Sequence, residues 1–440
     1  MNDPRAEAYA KTLSRLLQAE TISSRDQPDK SKFSVFHALL RETFPHLFSV
    51  CAFEEFDGSI LLRWPGSDSA RLPILLMNHH DVVEAGDGWR YPPFSGTIAE
   101  GRVWGRGALD TKGGLCMMLQ AADELAAEGF VPAQDVYFES ACTEETTGAG
   151  ADAISQELQR RGLRFSLVLD EGGMILHDPI GGSSGDFAMV GVGEKGCADL
   201  RFIARSSGGH ASTPGKNTPL ARLGKFMAAC ERLPLFPAEV SPTVEEMLRR
   251  MAPTMDGALG KVCGNAHALR PLLAAAMPSV SAMAGAMLRT TLAFTMAHGS
   301  DGYNVLPQEA WVTGNMRFSP HQGQEKSIRA VTHLAHRFDI EVEVIDPGFP
   351  SPVSDFRSEA FARIERAVDA VFPGVITAPY LMTGASDARY FTRVCDNCLR
   401  FSPFFITDEQ LAGIHGRDEN VFVSTLPDAV DFYKYILTEV

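Results

Sequence analysis

The sequence predicts an α/β fold, a mostly parallel sheet flanked by helices, with a smaller α+β domain inserted into it. Short apolar runs at residues 74–77, 136–141 and 165–169 have the length of buried strands. Helix-like stretches at 113–128 and 151–161 separate them, and this alternation favours parallel pairing. From about residue 196 the pattern becomes an apolar/polar alternation, which is typical of a half-exposed sheet.

Two domains are therefore predicted. Residues 1–195 and 348–440 form the catalytic domain, and residues 196–347 form an inserted lid or dimerisation domain with a helical extension near 241–288. Residues 271–288 of the extension carry no charge, but they are interrupted by Pro278. A membrane span needs about twenty apolar residues, so we expect no membrane segment here. Core packing explains the stretch, and a pocket for a hydrophobic acyl or side chain is the alternative hypothesis.

The composition excludes several function classes. A net charge of −15 argues against nucleic acid as a partner, because phosphate binding requires clustered basic residues. No apolar signal core is present near the N-terminus, and the eight cysteines lack disulfide-framework spacing. We therefore expect a cytoplasmic, reducing location. The single Cys395-x-x-Cys398 motif is a weak signal for metal or redox chemistry.

Polar side chains follow the predicted strands. His79 and Asp81 lie two residues apart beyond the 74–77 strand and would share a face, so Asp81 could hold the imidazole of a metal-binding His79. Glu144 and Glu145 follow the next strand, where adjacent carboxylates repel unless a cation or a function compensates. In open α/β sheets, sites lie beyond the carboxyl ends of the strands, so this edge is the candidate site.

Other candidates are ambiguous when taken singly. Asp110 precedes a predicted helix and could be an N-cap instead of a ligand. Asp170 and Glu171 repeat the paired-carboxylate arrangement, and His415 is a lone histidine in a glycine-flanked loop. Together they offer nitrogen and oxygen ligands without cysteine, which favours zinc, cobalt or manganese. One carboxylate of a pair could bind metal while the other acts as general base on a water.

Four motifs, in this order along the chain, are similar to those of the M20 family of dinuclear zinc peptidases and amidohydrolases. They are His79-x-Asp81, the Gly105-Arg106-Gly107-Ala108-x-Asp110-x-Lys112-Gly113-Gly114 run, Glu144-Glu145-x-x-Gly148 and Gly209-His210-Ala211-Ser212. The Asp170-Glu171-Gly172-Gly173 stretch and the long insert most resemble the carboxypeptidase S, N-acyl-amino-acid hydrolase and aminoacylase branch.

The resemblance implies two divalent metal ions per subunit, zinc first, with cobalt or manganese as alternatives. His79 would bind one ion and Asp110 would bridge both. Glu145 and His415 would complete the second site. The remaining ligand would be Glu171 or the adjacent Asp170, with Glu171 favoured.

The resemblance also implies the catalytic and substrate-binding residues. Asp81 would orient His79 and Glu144 would be the general base, while His210 would reach the active site of a neighbouring subunit in a homodimer. The substrate-carboxylate region would contain the residues Asn304, Arg317, Gly384 and Arg389. Many members have Asp where this chain has Asn315, a departure that we interpret as structural.

The implied function is a metal-dependent hydrolase that cleaves an amide or peptide bond next to a free carboxylate, in an N-acyl amino acid or a short peptide. A metal-activated water would attack, with Glu144 as its base. Two alternatives are a catalytically silent relative that binds metal or peptide on the same scaffold, and a thiol or redox enzyme that uses Cys395 and Cys398.

Overall fold

A computed structural model describes residues 3–25, 29–280, 282–348 and 351–439. It confirms the predicted α/β fold with a large, mostly parallel sheet between helices. Among the described residues, no helix is both long enough and apolar enough to cross a membrane.

The part of the chain before the predicted insert contributes five helices to the described structure. They are α1 (Arg5–Leu17), α2 (Ser31–Thr43), α3 (Pro45–Val50), α4 (Lys112–Ala127) and α5 (Ala149–Arg160). The strands of this part are β1 (Ala52–Phe56), β2 (Ser59–Trp64), β3 (Ile74–Met77), β4 (Thr97–Ala99), β5 (Arg102–Trp104), β6 (Val136–Ser140), β7 (Leu167–Asp170), β8 (Ile175–His177) and β9 (Asp186–Glu194).

The middle of the chain alternates between long strands and helices. Its described strands are β10 (Gly196–Arg205), β11 (Gly209–His210), β12 (Thr291–His298), β13 (Val305–Leu306), β14 (Glu309–Phe318) and β15 (Glu341–Asp346). Its described helices are α6 (Pro219–Arg232), α7 (Pro242–Met251), α8 (Gly257–Gly264), α9 (Arg270–Ala276), α10 (Ala282–Leu288) and α11 (Gly323–His336).

The last part of the chain returns to the large sheet. Its described helices are α12 (Glu359–Val371), α13 (Ala388–Phe391), α14 (Asp408–Gly413) and α15 (Leu426–Thr438). Its described strands are β16 (Ile376–Met382), β17 (Cys398–Arg400), β18 (Phe405–Ile406) and β19 (Asn420–Phe422).

The large sheet has the strand order β1-β2-β6-β3-β7-β17-β9-β8-β18, and β16 pairs with β9. The neighbouring strands β6, β3, β7 and β17 are parallel to one another. Their carboxyl ends therefore meet at one edge, where functional side chains of such sheets gather.

β3 lies at the centre of this sheet and is buried on both faces, as expected of a parallel strand between two helical layers. Ile74 and Leu76 belong to the core shared with α1, α4, α12 and α15, whereas Leu75 and Met77 belong to the core shared with α5 and α13. Successive side chains of a strand point to opposite faces, so four apolar residues supply both cores.

The start of α4 lies against the end of β3, and glycine permits this approach. A Cβ atom on Gly114 would lie 2.2 Å from the side-chain oxygen of Asn78, and one on Gly113 would lie 2.1 Å from the carbonyl oxygen of Ala108. Any larger residue would push the helix away from the strand. The two glycines thus bring the loop that carries Asp110 close to His79.

Residues 196–347 contain a separate four-stranded sheet with the order β12-β14-β10-β15. One face of that sheet packs on α6 and α11 through a core that includes Leu200, Phe202 and Phe226. The helical extension packs elsewhere, because Val244 and Met247 of α7 share a core with Phe187 of β9 and Ala378 of β16. The extension therefore covers the large sheet instead of the smaller one.

Several strands of the large sheet, β9 and β16 among them, are absent from the sequence prediction. β16 contains Pro379, and proline argues against a strand because it cannot donate to the ladder. β16 tolerates it because it pairs on one side only, with β9. β9 carries Gly191 and Gly193, which weaken a strand signal, and tertiary packing outweighs that weak local propensity.

Candidate active site

The predicted site residues approach one another from five segments. His79 and Asp81 follow β3, Glu144 and Glu145 follow β6, and Glu171 follows β7. Asp110 comes from the loop before α4, and His415 comes from the loop after α14. Because β6, β3 and β7 are parallel neighbours, their ends deliver these side chains to one place.

Asp110 contacts both histidines of the candidate site. Its Oδ1 lies 3.0 Å from Nε2 of His79, and its Oδ2 lies 3.1 Å from Nε2 of His415. The same His415 nitrogen lies 2.9 Å from Oε2 of Glu145. Asp110 therefore stands between the two histidines, the position that a bridging ligand would occupy.

Ligand atoms from three of these residues could reach a single ion. Atoms of His79, Asp110 and Glu145 all lie within 4.8 Å of one another. In addition, Oε1 of Glu145 is buried without a hydrogen-bond partner in the described structure. Buried polar atoms are normally satisfied, so an orphaned carboxylate oxygen beside other ligands fits a divalent cation.

Asp81 holds two parts of the site together. The ring Nδ1 of His79 lies 2.9 Å from the backbone oxygen of Asp81 and 3.4 Å from its Oδ1. The Asp81 carboxylate also accepts the backbone N–H groups of Glu144 and Glu145, at 3.2 and 3.1 Å, and the hydroxyl of Ser23 at 2.6 Å. It therefore fixes the glutamate pair as well as His79.

The crowded carboxyl groups perturb each other and the histidines. Burial raises the pKa of Glu144 and of Glu171 well above the usual range, and neighbouring acids add to the effect. Burial opposes protonation of His79, but hydrogen bonds with Asp110 and Asp81 raise its pKa well above normal. Hydrogen bonds with Asp110 and Glu145 raise the pKa of His415 to about 10. The raised pKa values mean that added positive charge stabilises this group of side chains. Divalent cations could supply that charge instead of protons.

Asp170 and Glu171 have different surroundings in the structure. Oδ1 of Asp170 accepts the backbone N–H of Glu171 at 2.9 Å, and Oδ2 accepts that of Ala388 at 2.7 Å. Both Asp170 oxygens therefore already accept backbone hydrogen bonds. Glu171, by contrast, lies close enough to Asp110, His79 and Glu145 for their charges to shift its pKa.

Glu419 supports the loop that carries Asp110, and the sequence analysis did not single it out. Its buried carboxylate accepts the guanidinium of Arg106 at 2.7 Å. It also accepts three backbone N–H groups of the loop that leads to Asp110, from Gly107, Leu109 and Asp110 at 2.9, 2.8 and 2.9 Å. Glu419 is more than 300 residues from this loop, so no local spacing could have indicated it.

Asp387 is a second residue that the sequence analysis did not single out, although it lies in the predicted Gly384 loop. It is buried, and neither carboxylate oxygen has a hydrogen-bond partner among the described residues. Burial raises the pKa of Asp387 to about 7. The positive charge of Arg389 lowers this pKa in part, and the negative charge of Asp170 raises it further. In the sequence, Asp387 is only an acidic residue in a short glycine-containing loop. Acidic residues are common in turns, so this pattern does not indicate a functional site.

A cavity of about 700 Å³ lies over the site and joins the two sheets. Its walls bring together the predicted residues Glu144, Glu145, His415, Arg317, Gly384 and Arg389. Lys195, directly before β10, Asp199, near the start of β10, and Asn315, near the end of the paired strand β14, also line it. Substrate-sized molecules could therefore contact the candidate metal site and both arginines at once.

His210 and Asn304 are neighbours, but neither lines this cavity. They lie on the short β11–β13 ribbon, where the backbone N–H of Ala211 donates to the Asn304 carbonyl at 2.9 Å. His210 is exposed, and its Nδ1 contacts the Ser212 hydroxyl at 2.7 Å. Their predicted part in substrate binding stays a prediction.

Two other candidate features of the sequence lie outside the cavity. None of the described residues between 271 and 288 lines it, so it does not support the acyl-pocket hypothesis; Leu273 and Leu288 instead pack in the core over β9 and β16. Cys395 and Cys398 are free, buried thiols in the core beside α5.

Comparison with known proteins gives a consistent picture. The model of "Peptidase family M20/M25/M40" matches residues 75–439. The human protein named N-fatty-acyl-amino acid synthase/hydrolase is 31% identical over 435 residues, which cover 97% of this chain and 86% of that protein. "Probable carboxypeptidase S-like 2" of Dictyostelium discoideum is 29% identical over 447 residues, with 97% and 84% covered.

Solved structures show the same fold. An M20 family metallo-carboxypeptidase from Sulfolobus solfataricus superposes with a TM-score of 0.72 at 16% identity, covering 98% of each chain. Human carnosine dipeptidase 1 superposes with a TM-score of 0.69 at 17% identity, covering 98% of this chain and 96% of the other.

The family match spans most of the chain, and the relatives are named as hydrolases and peptidases. Divalent metal use, which membership implies, agrees with the cluster of His79, Asp110 and Glu145. The predicted membership is confirmed: the chain is an enzyme that belongs to peptidase family M20/M25/M40.

Proposed function

We propose that this protein hydrolyses an amide or peptide bond next to a free carboxylate, in an N-acyl amino acid or a short peptide. The observation that carries the proposal is the cavity whose lining contains Glu144 and the candidate ligands Glu145 and His415 together with Arg317 and Arg389. The names of the human and Dictyostelium relatives, an N-fatty-acyl-amino acid synthase/hydrolase and a carboxypeptidase S-like protein, support the same substrate classes.

Two divalent ions, zinc first and cobalt or manganese as alternatives, would be held by His79, Asp110, Glu145, Glu171 and His415. Nitrogen and oxygen donors without thiolate suit these ions, and Asp110 between two histidines suits a bridge. Asp170 is the weaker ligand candidate because its two oxygens already accept backbone N–H groups. When bound, such ions supply Lewis acidity and lower the pKa of a nearby water.

Glu144 is the proposed general base. It lines the cavity and its Oε2 lies 3.9 Å from Nε2 of His79, beside but outside the tightest group of candidate ligands. Its carboxylate would take a proton from the attacking water and then deliver it to the amine nitrogen that leaves. Asp81 would hold His79 and the Glu144 backbone in place during both proton transfers, through its contacts with the His79 ring and the Glu144 N–H group.

Arg317 and Arg389 are the proposed contacts of the substrate carboxylate, together with the Gly384 loop. Both arginines line the cavity, and each donates a hydrogen bond to a neutral side chain, Arg317 to Asn315 and Arg389 to Tyr390. Glu194 and Asp387 lie near enough to Arg389 to raise its pKa. The planar fork of a guanidinium matches carboxylate geometry, so both arginines are suited to bind a carboxylate of the ligand.

The proposed domain plan keeps residues 1–195 and 348–440 as the catalytic unit and 196–347 as the inserted lid. Their separate sheets support it, although the helical extension near 241–288 packs on the large sheet. The eight free cysteines support a reducing, cytoplasmic location, since disulfides are rare there.

Removal of metal tests the proposed function. Dialysis against a chelator is expected to abolish hydrolysis across a panel of N-acyl amino acids and dipeptides, and added zinc or cobalt is expected to restore it. The measurement is initial rate against bound metal. Activity that survives in metal-free protein would contradict a metallohydrolase, and loss of activity after alkylation of Cys395 and Cys398 alone would favour the thiol alternative.

We propose further that His210 and Asn304 act across a homodimer. Their exposed ribbon lies outside the cavity of their own chain, which supports a role in a partner's site. His210→Ala and Glu144→Ala subunits, each inactive alone, should recover up to about a quarter of wild-type activity when mixed, because half of random dimers are mixed and carry one intact site. Absence of recovery after confirmed subunit exchange would contradict action in trans.

A further inference from the structure

The face of the smaller sheet that borders the cavity carries an ordered set of polar side chains. In the register of β10 with β14, Cys197 lies opposite Arg317 and Asp199 lies opposite Asn315. The residues between them, Ala198 and Met316, point to the apolar core on the other face. Strand alternation therefore presents Cys197, Asp199, Asn315 and Arg317 together, and all four line the cavity.

Asn315 connects the other members of this set. Its Nδ2 donates to Oδ1 of Asp199 at 2.8 Å and lies 3.3 Å from Sγ of Cys197, and its Oδ1 accepts Nε of Arg317 at 3.1 Å. An ionised carboxylate only accepts and a guanidinium only donates, so the orientation of the amide is determined by its two partners. Asn315 thus links Asp199 to Arg317, because it donates a hydrogen bond to the carboxylate and accepts one from the guanidinium.

The chemical identity of residue 315 has a consequence for the charge of Arg317. A neutral amide at this position fixes Nε of the guanidinium without neutralising it, and the terminal nitrogens stay available to the cavity. An aspartate would form an ion pair with Arg317 and would also repel Asp199, which lies within hydrogen-bond distance of residue 315.

We propose that Asn315 is a positioning and specificity-determining residue: it aims Arg317 into the cavity and keeps its charge uncompensated for an anionic group of the ligand. The inference rests on the proposed function, in which Arg317 contacts the substrate carboxylate. It replaces the interpretation of Asn315 as structural, because the side chain lies in the cavity wall.

The test compares N-acetyl-leucine, which carries a carboxylate, with its neutral amide. Asn315→Asp is expected to raise KM for N-acetyl-leucine about tenfold, equivalent to about 1.4 kcal/mol, and to leave kcat within about twofold, since the aspartate would compete with the substrate carboxylate for Arg317. Parameters for the amide should stay unchanged. In an Arg317→Ala background, Asn315→Asp should have no further effect, because the two residues act as a unit.

Thr313→Val is the matched control. Thr313 lies two residues before Asn315 on the same strand and bonds Thr295 at 2.9 Å, outside the cavity lining. It should leave both substrates unaffected. Equal effects of Asn315→Asp on acid and amide, a loss confined to kcat, or additivity with Arg317→Ala would overturn the inference.

Binding separates this inference from the proposed function. Calorimetric titration of N-acetyl-leucine into the metal-loaded variants requires no turnover. If no substrate is hydrolysed but Asn315→Asp still weakens N-acetyl-leucine binding about tenfold, the proposed function fails and the inference stands. If wild type hydrolyses N-acyl amino acids and Asn315→Asp changes neither KM nor binding, the inference fails and the proposed function stands.

Discussion

Replacement of Glu144 with alanine is expected to lower kcat by about 10³-fold, within the range that general acid–base groups contribute. The reason is positional: Glu144 and Glu145 both line the cavity, but it is Glu145 that joins His79 and Asp110 in the group whose ligand atoms could share an ion. Bound metal should therefore remain at the wild-type level. The measurements are steady-state kinetics and metal analysis of the same preparation.

Glu145→Ala is the paired control for this prediction. Glu145 lies 2.9 Å from His415 and has an orphaned buried oxygen, so its removal should reduce metal content and activity together. If Glu144→Ala loses metal and Glu145→Ala retains it, the roles of base and ligand are reversed.

Replacement of Glu419 with alanine should destabilise the protein by about 3–5 kcal/mol, as is typical when one partner of a buried ion pair is removed. Arg106 would lose its carboxylate, and the backbone N–H groups of Gly107, Leu109 and Asp110 would lose their acceptor. The Asp110 loop should then fail to hold metal. Urea unfolding gives the change in free energy, and metal titration gives the change in affinity.

Glu409→Ala is the matched control for the Glu419 prediction. Glu409 also pairs with an arginine, Arg102, but at 3.5 Å and with 70% of its side chain exposed. Surface pairs contribute at most about 1 kcal/mol, so stability and metal affinity should hardly change. A similar loss in both variants would show that Glu419 has no special role in the Asp110 loop.

The sequence predicted the central strands of the large sheet and most of the residues that make up the candidate site, because both follow local patterns. Four consecutive apolar residues at 74–77 predict a buried strand, and the structure has that strand at the same residues. The polar residues directly after β3, β6 and β7 follow from strand position alone, since parallel strands end at a common edge. β16 was missed because Pro379 outweighs its apolar residues locally, while pairing with β9 stabilises it.

What the sequence determined by itself was therefore the family, the α/β fold and the candidate residues at the strand ends and before α4, including His79, Glu145 and Asp110. Tertiary structure alone decided which polar groups support them. Glu419 reaches the Asp110 loop across 309 positions of the chain, and Asn315 links Asp199 to Arg317 across a strand pair. Such contacts depend on hydrogen-bond geometry between distant segments, which leaves no periodicity or spacing in the sequence.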